Sequence, residues 1–125
     1  MDFDELKFDD KGLIPAIVFD VTSKRVCMVG YMNAEAIERT IETGLATYWS
    51  RSRQAFWVKG ETSGHTQEVQ WVRLDCDGDA LLLGVKQNIA ACHLGYFSCF
   101  FREYRDGEWV TVEERVFDPE DAYNE

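Results

Sequence analysis

The 125-residue sequence predicts a mostly β, α+β fold: a single compact domain, mainly antiparallel sheet, with one prominent helix near residues 34–43. Short runs of β-branched and aromatic residues recur along the chain, which is the pattern of strands. One segment alone carries helix signals at both of its ends. Short turns between the runs, with no strand–helix–strand alternation, favour antiparallel neighbours over a parallel sheet.

Leu13 to Asp20 and Arg25 to Met32 flank Val21-Thr-Ser-Lys and read as a hairpin. The helix is expected over Ala34–Thr43, with Asn33 as its cap, Met32 and Ile37 as a hydrophobic staple and Gly44 as its stop. Its apolar face is expected to be Ala36, Ile37, Thr40 and Ile41. Strands follow at Leu45 to Arg51, Ala55 to Val58, Gln67 to Leu74 and Ala80 to Gln87. Phe97 to Tyr104 and Trp109 to Phe117 close the series around an Arg105-Asp-Gly turn. The whole of residues 1–125 reads as one domain, with an acidic C-terminal tail from about residue 118.

Composition narrows the function classes. Hydrophobic residues at 46% and aromatics at 14% exclude a disordered chain and allow a real core. No apolar run is long enough to cross a membrane, and the acidic start Met1-Asp-Phe-Asp-Glu-Leu-Lys lacks a signal-peptide pattern, so a cytoplasmic address is expected. A net charge of −10 argues against nonspecific binding to nucleic acid or an anionic membrane. An anionic substrate would need a local cluster of cations.

The chemistry concentrates in Asp75-Cys76-Asp77-Gly78-Asp79. In an extended segment the three carboxylates would project one way and Cys76 the other. Carboxylate oxygens suit Mg²⁺ or Ca²⁺, and a thiolate suits Zn²⁺. Taken alone the segment also reads as a solvated acidic turn, but Cys92-His93 and Cys99 downstream favour a metal site. Cys27 lies in the apolar run Val26-Cys-Met-Val-Gly and reads as core. The remaining cysteines, Cys76, Cys92 and Cys99, are spaced sixteen and seven apart, unlike a zinc ribbon. Three protein ligands with an open fourth position is the arrangement of a catalytic zinc.

Known patterns can be rejected one by one. Counting Asp75 as position one of a calcium loop, positions six and twelve hold Ala80 and Lys86 instead of Gly and Glu. Neither His65-Thr-Gln nor His93-Leu-Gly supplies the His-x-Glu of zinc nucleobase deaminases. No Walker or dinucleotide fingerprint occurs. His65 and His93, both in Gly- and polar-rich segments, are the candidate proton-handling residues, with His93 favoured for its place beside Cys92. Arg51 and Arg53, in the alternating Trp49-Ser-Arg-Ser-Arg, share a face if extended. With Lys59 and Ser63 of the loop that follows, they offer donors to phosphate oxygens.

Four motifs occur in order: Trp49-Ser-Arg-Ser-Arg, Lys59-Gly-Glu-Thr-Ser-Gly-His65, Leu74-Asp-Cys-Asp-Gly-Asp-Ala-Leu-Leu-Leu83 and Cys92-His-x-Gly-x-x-Ser-Cys-Phe100. The series resembles the phosphoribosyl-AMP cyclohydrolases of histidine biosynthesis. The resemblance runs from about Phe3 to Glu103 and includes Gly12-Leu-Ile-Pro-Ala-Ile and Gly30-Tyr-Met-Asn. It implies a zinc- and magnesium-dependent homodimer, with Cys76, Cys92 and Cys99 as zinc ligands assembled across the subunit interface and Asp75, Asp77 and Asp79 as magnesium ligands. The implied reaction is hydrolytic opening of the purine ring of a nucleotide between N1 and C6. Zinc would lower the pKa of water for attack on C6, and His93 would move protons to the ring nitrogen. A pyrophosphohydrolase domain is sometimes fused to this one, and the present length leaves no room for it, so a single activity is expected.

The chain departs from the family at one place. Where the family commonly reads Cys-His-Thr-Gly-Arg-Arg-Ser-Cys, this chain has Cys92-His-Leu-Gly-Tyr-Phe-Ser-Cys99. If those arginines hold phosphate, then Arg73, Lys86 or Arg102 compensates, or the substrate differs. Two alternatives accompany the leading one: a diverged hydrolase of another purine-like ring, and a non-catalytic zinc-binding protein.

Overall fold

Alternation along the first two strands sets the frame of the computed structural model, which describes residues 3–123. In β1 (Ile14–Asp20) Ile14, Ala16 and Val18 are buried, and the intervening Ile17 is exposed. β2 (Arg25–Met32) pairs with β1 antiparallel and buries Met28 and Met32 on the same core. Helix α1 (Ala34–Thr43) then begins where expected. Asn33 accepts a hydrogen bond from the Ala36 N–H, Gly44 takes the left-handed conformation, and its N–H bonds to Thr40 O. The expected apolar face is corrected at one residue: Ala36, Ile37 and Thr40 are buried, but Ile41 is 49% exposed. Five residues on from Ala36, it lies about 140° around the helix and falls off the packed stripe.

Next come the hairpin β3 (Thr47–Ser50) and β4 (Ala55–Val58), then β5 (Gln67–Leu74) and β6 (Leu81–Gln87). The main sheet has the order β2-β1-β6-β5. Its central pair, β1 and β6, is parallel, from Ala16 opposite Leu81 to Asp20 opposite Val85. This departs from the expected pairing of consecutive strands: the long connection through α1, β3, β4 and β5 brings β6 to the free edge of β1. The other two ladders of the sheet are antiparallel, so the α+β character holds.

The last two expected strands are shorter than predicted. β7 (Arg102–Arg105) and β8 (Glu108–Thr111) form a separate hairpin, and the chain on either side of it is irregular. Before it, the Ser98 hydroxyl donates to Val26 O at 2.8 Å and the Cys99 N–H to Cys27 O at 2.7 Å. After it, the strap from Val112 runs back, its Val116 N–H reaching Gly95 O at 2.8 Å. Tertiary bonds thus take up the backbone groups that a longer ladder would have used. A short helix α2 (Pro119–Tyr123) follows at the acidic end.

Two polar devices lock this frame. Asp20, 3% exposed, accepts from the Ser23 N–H at 2.7 Å and the Gln87 N–H at 3.0 Å, joining the first turn to the end of β6. Burial works to raise its pKa, but these donors outweigh it and hold the carboxyl below its ordinary range. The second is a buried network. The Tyr48 hydroxyl donates to Gln67 Oε1, and Gln67 Nε2 donates to Gln87 Oε1 at 2.8 Å. Gln87 Nε2 in turn lies 3.3 Å from His65 O and 3.1 Å from Ala90 O.

Close packing at Gly84 gives a stability test. A bulge in β5 lays Trp71 across Gly84, and a Cβ there would stand 2.1 Å from the indole. Gly84→Ala should therefore lower stability by about 2 kcal/mol through displacement of Trp71, read as an earlier midpoint in urea unfolding. An unchanged midpoint would show that the ring is not held there.

Candidate functional site

The cysteine loop is built by its own short bonds. The Ala91 N–H donates to Phe97 O at 2.8 Å and the Cys92 N–H to Tyr96 O at 3.2 Å, closing residues 91–97 into a turn. Cys99 is then set by its bond to Cys27 O on β2. The result brings the Cys92 and Cys99 thiols close enough to influence each other electrostatically, with Cys92 buried and Cys99 exposed on one side. Burial, then the neighbouring Cys92, pushes the Cys99 thiol up to about 11, and the Lys59 cation pulls it back. Cys27, fully buried and pushed up to about 12 by burial and by Asp20, is the inert core thiol that the sequence predicts.

Lys59 stands near this pair, and His65 near Lys59. Lys59 donates Nζ–H to Ala91 O, one residue before Cys92, which ties the cation to the thiol loop. Its pKa is lowered by burial, against the pull of Cys99, Cys92 and Cys27. His65 is 3% exposed, its ring edge-on to Phe117 of the strap at 4.6 Å. Burial first, and the Lys59 charge second, lower its pKa and keep the imidazole neutral at pH 7. The loop between them folds tightly: Gly60 has φ +83°, and a Cβ there would lie 2.4 Å from the His65–Thr66 backbone. His93, by contrast, sits exposed in the turn beside Cys92.

The aspartates converge by a different route from the one alternation implies. Residues 75–79 form a turn, not an extended strand. The Gly78 N–H donates to Asp75 O at 3.1 Å, and Asp75 Oδ1 accepts from the Asp79 N–H at 3.0 Å. Gly78 packs under the amino-terminal segment, where the Lys7 N–H meets its carbonyl at 2.7 Å. Asp75, Asp77 and Asp79 bring ligand oxygens within 4.8 Å of one another, all exposed. Hydrogen bonding to Asp75 and its charge raise the pKa of Asp79, a repulsion that a divalent cation would relieve. Three oxygen donors without nitrogen or sulfur suit a hard cation such as magnesium, and the thiol pair suits zinc. Cys76, exposed on the aspartate turn, does not join the other two thiols: among the described residues the aspartates are the one Cys/His/Asp/Glu set of three within that distance.

The expected phosphate contacts are spread out. Arg51 and Arg53 lie in the turn between β3 and β4, not on an alternating strand. The Arg51 guanidinium stacks on Tyr31 at 4.0 Å and lines a cavity of about 260 Å³ with Lys11, Asn33 and Trp49. Arg53 is exposed at the same turn, whereas Lys59 follows the far end of β4. Ser63 is half-buried, its Oγ accepting the His65 N–H at 3.2 Å. Tyr96 and Phe97, where the family has arginines, are packing residues: Tyr96 stacks on Phe101 at 3.8 Å, and Phe97 lies against the core beneath Arg25. The sequence reading missed Gln67, Gln87 and Phe117, which carry no chemical motif. It missed their roles because only the fold brings them to the histidine and cysteine loops.

Thiols, a neutral imidazole and a half-buried lysine, held on loops at the edge of a rigid sheet, define the class as an enzyme with a loop-built site. The sequence profile described as phosphoribosyl-AMP cyclohydrolase matches residues 28–101. The chain is 57% identical over 123 residues to the phosphoribosyl-AMP cyclohydrolase of Methanosarcina mazei, covering 98% of this chain and 99% of that one. It is 55% identical over 120 residues to that of Salinibacter ruber, covering 96% and 94%, and 52% identical over 119 residues to that of Neisseria meningitidis, covering 94% and 91%. This chain belongs to the phosphoribosyl-AMP cyclohydrolase family. No helix among the described residues is long and apolar enough to cross a membrane.

The His65 environment has a pH signature. Folding lowers its pKa below the ordinary 6.5, so the unfolded chain binds the proton more readily. Its contribution is complete above pH 6.5 and is lost as pH falls through 6.5 towards the folded value. Unfolding free energy should decline over that window in the wild type and be flatter in His65→Gln. An identical slope in both proteins would remove His65 as the source. The Asp20 contribution is lost only below its ordinary 3.8, so the two are separable.

Proposed function

We propose that this enzyme opens the purine ring of phosphoribosyl-AMP by hydrolysis between N1 and C6, in histidine biosynthesis, as a cytoplasmic homodimer using zinc and magnesium. The observation that carries the reading is the division of the thiols. Cys92 and Cys99 lie close together on one loop, whereas Cys76 stands exposed on another beside three converging carboxylates. The relatives' shared name supports the reaction.

Cys92 and Cys99, with Cys76 of a second copy, would hold zinc, which supplies Lewis acidity and lowers the pKa of water. Asp75, Asp77 and Asp79 would hold magnesium, which supplies a hard positive charge at an otherwise acidic surface. His93, open to solvent next to Cys92, takes a proton from the attacking water and returns one to the ring nitrogen. Neutral His65, shielded by Phe117, would offer the substrate an uncharged imidazole. Arg51 and Arg53 reach phosphates from their exposed turn. The Ser63 hydroxyl proton remains available as a donor, and Lys59 has further N–H donors beyond the one tethered to Ala91. A second copy has a surface to cover: Ile17 and Val29, 40% and 44% exposed, face each other across the β1–β2 ladder, with Leu82 beside Ile17.

The direct test is ultraviolet-monitored turnover of phosphoribosyl-AMP by zinc-loaded protein with Mg²⁺, lost on chelation. No turnover by a folded, metal-loaded protein would overturn the assignment. Cys92→Ala should abolish both zinc binding and activity, and Asp77→Asn should weaken the Mg²⁺ response while sparing zinc content. Shared ligation predicts a further result. Cys76→Ala and Cys92→Ala, each inactive alone, should regain roughly a quarter of wild-type activity when refolded together, because half of randomly formed dimers are mixed and each mixed dimer holds one intact site. Absence of any recovery would place all three ligands in one chain.

A further inference from the structure

A cavity of about 260 Å³ opens beside Cys99, lined by Phe100, Arg102 and Trp109. Its walls follow from the β7–β8 register. Arg102 is opposite Thr111 and Tyr104 opposite Trp109, and residues two apart on a strand share a face, so Arg102 and Trp109 project from the same side of the hairpin. Trp109 is 70% exposed and Phe100 57%, an unusual amount of aromatic surface left in water next to a thiol.

Arg102 is the one cation lining this cavity. It makes no ion pair within 4.0 Å among the described residues, and its guanidinium lies 5.3 Å from the Phe101 ring. The two other cations that could replace the missing arginines, Arg73 and Lys86, lie elsewhere, and Arg25 is already paired. Arg25 pairs with Glu113, Arg73 lies over Trp71 on the sheet, and Lys86 stands opposite Glu68 in the β5–β6 ladder. A chain of net charge −10 must offer an anionic nucleotide a local cation, and in the cavity beside Cys99 that cation is Arg102.

We propose that Arg102 binds a phosphate of the nucleotide substrate and that Trp109 stacks on its purine, seating the reacting ring against the Cys92–Cys99 pair. A guanidinium fork matches two phosphate oxygens, and an indole face accepts any purine. Arg102 thereby supplies the cation missing at Tyr96 and Phe97. This deepens the proposed reaction and rests on it for the substrate.

Calorimetric binding of AMP and of adenosine to the zinc-loaded dimer tests the contact apart from turnover. The unmodified protein should prefer AMP by about tenfold or more. Arg102→Gln should abolish that preference, with adenosine affinity and zinc content unchanged, and Arg102→Lys should restore part of it. Trp109→Leu should weaken both ligands about equally, by about tenfold. In turnover, Arg102→Gln should raise KM with little change in kcat. Equal binding of AMP and adenosine by the unmodified protein, or a preference retained in Arg102→Gln, would overturn the assignment of Arg102. An AMP preference that depends on Arg102 in a protein unable to open phosphoribosyl-AMP would uphold the nucleotide anchor and overturn the reaction instead.

Discussion

The buried amide relay from Tyr48 through Gln67 to Gln87 is the constraint on which the site depends. Gln67 is fully buried, and its position between a core tyrosine and a glutamine at the end of β6 leaves no solvent to replace a lost partner. Each such bond contributes about 1 kcal/mol net, but orphaning a buried amide costs about 1–3 kcal/mol. The larger consequence is positional. Gln87 passes the relay to His65 O and Ala90 O, so one side chain sets the height of the histidine loop and of the segment entering Cys92. Lys59 adds a second tie at Ala91 O. Two loops far apart in sequence are thereby registered to one sheet.

Around that relay the chain separates its two kinds of donor. Thiols and imidazole gather where the Cys92–Cys99 loop crosses β2. Carboxylates gather in the β5–β6 turn, pinned by the amino-terminal segment at Gly78. Under the proposed zinc and magnesium assignment, the separation would keep soft and hard ligands from competing for one ion. It also leaves Cys76 on the carboxylate side, exposed, while Cys92 and Cys99 sit on the other loop. The C-terminal strap completes the thiol side, with Phe117 on His65 and Val116 bonded to Gly95.

Much of the frame was legible because local rules and tertiary packing agree. The Asn33 cap, the Gly44 stop and the early strands stand where residue chemistry puts them. The misreadings share one cause. Ile41, the alternation of Asp75 to Asp79, the paired face of Arg51 and Arg53, and the long final strands were all read from periodicity within a segment. Each was decided by what the segment packs against or bonds to. The aspartates still converge, because an Asx-type turn gathers side chains as well as a strand face would.

The sequence by itself determined the fold class, the helix with its caps, the donor types and the family, because caps, turn residues and ordered motifs are local properties. Only the tertiary structure decided that β1 and β6 run parallel, that Cys92 and Cys99 lie together while Cys76 stands apart, and that His65 is held neutral. It also decided that Arg102, and not Arg73 or Lys86, faces the thiol cavity. These are facts of burial and long-range contact. A residue's neighbours across the fold set its solvation and charge environment, and no periodicity within a segment encodes them.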